Sequence, residues 1–113
     1  MSLNCDKYQE LATLVNELRN NVTKSKPDSG ELRLGLAQLQ EFFLREIAPL
    51  TDVEYREQSY HTEMSKQLRL LEVDVIFLQG SKQFTTIQMR IKNIEERLNT
   101  LAMYCEAVIQ GNE

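Results

Sequence analysis

One histidine stands in the 113-residue chain, His61, and it limits what chemistry the sequence can do. A ferritin-type di-iron bundle needs paired Glu-x-x-His motifs, but the residue three before His61 is Gln58, which removes that chemistry. Haem ligation would pair His61 with a methionine such as Met64, yet Met64 falls in an apolar stripe where methionine ordinarily packs. His61 is therefore expected at the surface or its boundary. Cys5 and Cys105 stand near opposite ends of the sequence and form no C-x-x-C pair, so no zinc ligand set arises. In an up-down bundle the two would share one pole, as buried thiols in a reducing compartment. Neither the phosphate-cradling G-x-x-x-x-G-K-[ST] nor the hydrolase G-x-S-x-G occurs, and no Cys and His are spaced as a nucleophilic pair. All-helical enzymes of the chorismate mutase type hold a dicarboxylate on cations inside a bundle. Here Arg19, Arg33, Arg69, Arg90 and Arg97 lie off the main apolar stripes and are expected to face water. The charge-rich "NIEERLNT" reads first as the solvated side of a helix and only second as a recognition surface. No catalytic residue, metal or cofactor is expected.

The elements that carry these residues follow from periodicity. Tyr8, Leu11, Val15, Leu18 and Val22 recur three and four apart, predicting a first helix over about 5–24. Asn4 is a candidate N-cap with Leu3 and Tyr8 as a staple, and Pro27 in "KSKPDSG" stops the helix. Asp28 and Glu31 resemble a capping box for a second helix over 29–48, with Leu32, Leu36, Leu39, Phe43 and Ile47 inward and Pro49 ending it. Gly35 beside that face predicts a close helix approach. Thr51 and Glu54 form a second box, with Leu50 and Tyr55 as staple, opening a third helix over 52–79. Its face carries Val53, Tyr60, Met64, Leu68, Leu71, Val75 and Leu78, up to a left-handed Gly80. Ser81 begins the fourth, over 82–109, where Phe84, Ile87, Ile91, Ile94, Leu98, Leu101, Cys105 and Val108 alternate three and four without a break. That average of 3.5 predicts left-handed, coiled-coil-like packing. The expected fold is an all-α, antiparallel four-helix bundle in a single domain, with helices three and four forming a long hairpin embraced by a shorter pair.

One stretch, "RLLEVDVIFLQG", is apolar nearly all the way round. At about 100° per residue Leu71, Val75 and Leu78 continue the core stripe, while Leu70, Val73 and Phe77 fall together on another side. The strand-like alternation is two helical stripes superposed. Either helix two or a diagonal neighbour covers the second stripe, or it is an interface toward the hairpin tip, with Lys66 and Asp74 as polar rim groups.

The formal net charge of −4, with acids and bases interspersed, weighs against phosphate-backbone binding. No run approaches the ~20 apolar residues of a membrane span, and "MSLNCDKY" lacks the charged and apolar regions of a secretory leader. No nucleic acid, no membrane and a cytoplasmic location are expected.

The opening "MSLNCDKYQELATLVNEL", the "GELRLGLAQLQEFF" of helix two and the late "IKNIEERLNTLAMYCEAV" together resemble the PatD family of cyanobacterial heterocyst frequency control proteins. The resemblance spans the chain and carries no catalytic motif. It implies a small regulator that limits how many vegetative cells become heterocysts and acts through the tubulin-like division protein FtsZ. No binding role transfers residue by residue. The expected function is non-enzymatic regulation by binding a protein. The alternatives are a structural or adaptor homodimer whose spare stripe is buried by its own copy and, less in keeping with the residues, a small enzyme of the chorismate mutase type.

Overall fold

A computed structural model describes residues 4–23 and 29–111. Among them the chain forms α1 (Cys5–Val22), α2 (Ser29–Phe42) running straight into a π-helical turn (Phe43–Ile47), α3 (Tyr55–Gly80) and α4 (Phe84–Gly111). Together they make an all-α bundle elongated to 47 × 20 × 19 Å. Its neighbouring pairs are α1 with α4, α4 with α3, α1 with α2 and, through the thinnest seam, α2 with α3. The expected Leu3 staple, the Pro27 stop and the Asp28 end of the first capping box lie outside the described residues.

The stripes explain the interior. Tyr8, Leu11, Val15, Leu18 and Val22 of α1 and Leu32, Leu36 and Leu39 of α2 are buried, and so are Met64, Leu68, Leu71 and Val75 of α3. Along α4, Ile94, Leu98, Leu101, Cys105 and Val108 are buried, but the expected seam frays toward the hairpin tip. Ile91 and Ile87 are half-buried and Phe84 is 74% exposed. Phe84 is the first residue of α4, with no preceding turn of its own helix to flank it.

Helix ends depart most from expectation. Asp52 has φ of 59°, the left-handed region that Asp tolerates better than most residues, and this takes the chain out of helical geometry where "TDVE" was to start α3. Glu54 becomes the N-cap and caps with no side-chain bond, Val53 precedes the helix, and Tyr55 is 88% exposed, so neither box nor staple forms. At the other end Ser81 closes α3 instead of opening α4. Its hydroxyl donates to the Phe77 carbonyl at 2.6 Å and its N–H to Leu78 at 3.2 Å. With Ser81 extended (φ −85°, ψ 140°), no left-handed residue is needed, and no described glycine has positive φ.

The π turn was not expected. Ala48 N–H reaches back five residues to the Phe43 carbonyl at 2.8 Å, while Pro49 has no N–H to give the closing turn. The widened turn buries Phe42 (5% exposed) beside Phe43 (4%), two adjacent residues that one regular helical stripe would not both hold inward.

Gly35 meets its expectation. A Cβ there would stand 2.7 Å from Leu18 Cδ1, so α1 and α2 approach closely because the glycine is bare. Gly35→Ala should therefore fail to deliver the gain of about 1 kcal/mol that alanine normally brings to a helix interior. Gly35→Val should cost about 1–3 kcal/mol through overpacking. Urea denaturation measures both; a full alanine gain would show that Leu18 gives way freely.

Candidate functional site

The outer side of α3 carries the expected second stripe, in part. Val73 is 40% and Phe77 53% exposed, Leu70 is half-buried, and Ile76, at 59%, adds an apolar side chain the stripe did not include. The stripe is thus mainly uncovered by the other helices. Phe77 is not bare on both faces, since the Arg90 guanidinium stacks on its ring at 4.6 Å from the centroid, a cation–π contact that holds the ring in place.

Asp74 is not a rim group. It is 4% exposed and turned toward α4, where Arg90 Nη1 donates to Oδ1 at 3.4 Å and Arg97 Nε to Oδ2 at 3.3 Å. The helical turn of about 100° between successive residues separates it from Val73 and places it at the α3–α4 seam. Arg90 and Arg97, expected in open water, have side chains only 25% and 32% exposed because they neutralise this carboxylate. Lys66 is exposed on the Val73 side of α3, and it also walls the groove between α2 and α3.

His61 is not a surface residue. It is 4% exposed, and with Glu57 (7%) and Tyr8 (0%) it forms a polar cluster linking α1 to α3 inside the bundle. Tyr8 Oη donates its one proton to Glu57 Oε2 at 2.7 Å, and Asn4 Nδ2 donates to the same oxygen at 3.3 Å. Tyr8 Oη also contacts His61 Nε2, so the imidazole must donate from Nε2 and keep a lone pair on Nδ1. That buried Nδ1 has no hydrogen-bond partner among the described residues. Burial first, then the Glu57 bond and charge, raises the Tyr8 hydroxyl well above its usual range. Burial lowers His61, with the Glu57 carboxylate pulling the other way. The two expected buried thiols are present and unbonded. Both lie near enough to the phenol to act on it electrostatically, and burial pushes Cys105 up to about 12.

The cluster ties α1 to α3. A carboxylate taken out of water demands its donors, and any other register of α1 on α3 would strand it. Glu57 and His61 stand in the same three-and-four spacing as Met64, Leu68 and Leu71, and that continuity was the signal available for their burial.

The α2–α3 seam opens into two adjoining hollows of ≈ 600 and ≈ 300 Å³ that share Phe43, Leu44, Ser65 and Arg69. A further groove of ≈ 550 Å³ lies between α1 and α4, where Arg19 donates to Asn99 Oδ1 at 2.8 Å. Among the described residues no group of three or more His, Cys, Asp or Glu could hold a metal ion, and no helix is long and apolar enough to cross a membrane. No family model, curated protein or solved structure matches the chain.

Proposed function

We propose that the protein is a non-enzymatic cytoplasmic regulator that works by binding another protein through the outer face of α3. One observation carries this reading: Val73, Ile76 and Phe77 are apolar, adjacent on one helix and 40–59% exposed. Water around such a patch is released when a partner covers it. The buried ionisable groups, by contrast, are engaged with one another, as Tyr8 with Glu57 and Asp74 with Arg90 and Arg97. The resemblance to the PatD family directs the partner to FtsZ and the role to control of heterocyst frequency.

The test is Val73→Asp, measured for thermal stability and for binding to purified FtsZ. In the free protein the new carboxylate sits at a 40% exposed position and stays hydrated, so folding should persist. In the complex it is desolvated without a partner, and affinity should fall by about tenfold or more. Unchanged affinity would place the interface elsewhere, and an unfolded variant would make the stripe ordinary core. The same apolar face also fits a second copy of the chain. A concentration-dependent mass in solution that Val73→Asp abolishes would favour the homodimer.

A further inference from the structure

The groove between α2 and α3 has an electrostatic character that the rest of the surface does not lead one to expect. The chain carries a formal net charge of −4, yet no carboxylate lines the half of the groove bounded by Phe43, Leu44, Ala48, Lys66 and Arg69. Lys66 and Arg69 make no ion pair among the described residues, and they line the same hollow. Two cations one turn apart, neither in contact with a carboxylate among those residues, give this stretch of an acidic protein a local positive field. The groove also has an apolar side. Phe43 and Leu68 form its buried floor, and Leu44, in the π turn, stands 67% exposed above it. The same hollow is lined by His61, whose Nδ1 is without a partner among the described residues.

The dimensions select the occupant. Along α3 the two hollows extend from Gln58 to Glu72, about 20 Å at 1.5 Å per residue, the length of a helix of about fourteen residues. A helix laid in such a groove presents one face at i, i+3, i+4 and i+7. To cover Leu44 that face must be apolar, and to meet Lys66 and Arg69 its edge must carry carboxylates. The far end is different, because Glu72 is there, accepting a bond from Gln40 Nε2 at 2.8 Å. Along α3 the groove is therefore neutral and polar at its Gln58 end, cationic from Lys66 to Arg69 and anionic at Glu72 one turn further, an asymmetric order that orients the guest.

We infer that the α2–α3 groove is the docking site for an acidic amphipathic helix of a partner protein, its apolar face on Leu44 and its carboxylates on Lys66 and Arg69. The inference rests on the reading of the chain as a protein-binding regulator, but not on the outer face of α3 or on FtsZ.

The experiment is a selection of displayed, helix-biased peptides of about fourteen residues against the full chain, followed by fluorescence anisotropy with the enriched peptides. Acidic amphipathic sequences should enrich. Their affinity should fall by about tenfold or more in the double variant Lys66→Glu/Arg69→Glu, and should weaken as ionic strength rises. Leu44→Ala, at a 67% exposed position that leaves the core intact, should weaken the same peptides by about fivefold or more. Circular dichroism checks that both variants keep the fold. Failure to enrich any peptide, enrichment of neutral or basic ones, or indifference to the charge reversal would overturn the proposal. Loss on Val73→Asp without loss on charge reversal would move the binding to the outer face of α3. A self-association that the charge reversal abolishes would make the occupant a second copy and overturn it equally.

Discussion

Replacing Leu98 with alanine should lower the unfolding free energy by about 2–5 kcal/mol, the range expected when a leucine is cut back in a core that cannot fully collapse. Leu98 is 0% exposed and stands in the middle of the α4 seam, with Ile94 and Leu101, also at 0%, a turn to either side. Leu98 belongs to one buried cluster that draws on every helix, with α1 and α3 packed directly against α4, so the space it fills is enclosed. Ile91→Ala is the internal control. The regular spacing of α4 gives both positions equal standing, but Ile91 is only half-buried, and its loss should fall below that of Leu98. Urea denaturation with an unchanged m-value measures both. A loss at Leu98 below about 1 kcal/mol would show that the seam is loosely packed.

That contrast shows where a sequence pattern stops being informative. The three-and-four spacing of Tyr8 to Val22 or of Ile94 to Val108 depends on one helix alone, and both stripes are buried as it predicts. How far a stripe stays covered depends on where the neighbouring helices end, a relation between segments distant in the chain. Phe84 continues the pattern without a break and is nevertheless 74% exposed. Helix ends have a different difficulty. "TDVE" is a sound local signal, but Asp52 also suits a left-handed turn, and the link from Pro49 to α3 uses it for that. Ser81 can cap either of two helices that meet within a few residues, and the carbonyl of Phe77 claims its hydroxyl.

The candidate surface was legible by the same rule. Val73 and Phe77 were visible as apolar residues surplus to the core stripe, and they are exposed. Ile76 stands three residues after Val73, on the same outer side of the helix, but the strand-like alternation of Val73, Val75 and Phe77 with Asp74 and Ile76 hides that. Asp74 was misread because a carboxylate in an apolar run suggests a rim, and only the arrival of Arg90 and Arg97 from α4 makes its burial tolerable. Glu57 and His61 follow suit. Their common partner, Tyr8, lies 49 and 53 positions away, and nothing in the local sequence announces that a phenol will be there. The cationic groove was invisible for a related reason: Lys66 and Arg69 are ordinary surface residues until α2 and its π turn provide the opposite wall.

Tyr8→Phe should cost about 1–3 kcal/mol, since it removes the hydroxyl that satisfies a buried carboxylate and accepts from a buried imidazole while leaving both in place. The phenol ring itself is kept, so the cavity created is small and the loss reports hydrogen bonding. The variant should also change the pH response. In the wild-type protein burial lowers His61 below its ordinary value of 6.5 and keeps it neutral on folding. As pH falls below about 6.5, the unfolded chain takes up a proton that the folded chain resists, so the contribution of neutral His61 is complete above that pH and declines toward the folded value. Glu57 and His61 stand 4.0 Å apart in the wild-type protein, and without the hydroxyl between them they face each other directly, which favours the imidazolium. The decline between about pH 6.5 and 5 should then be shallower in Tyr8→Phe than in the wild type, although the variant is less stable at pH 7.5. Denaturation midpoints across that range decide the matter: a wild-type profile flat from neutral pH down to 5 would mean that His61 does not resist protonation, and parallel declines in the two proteins would mean that the phenol does not mediate between carboxylate and imidazole.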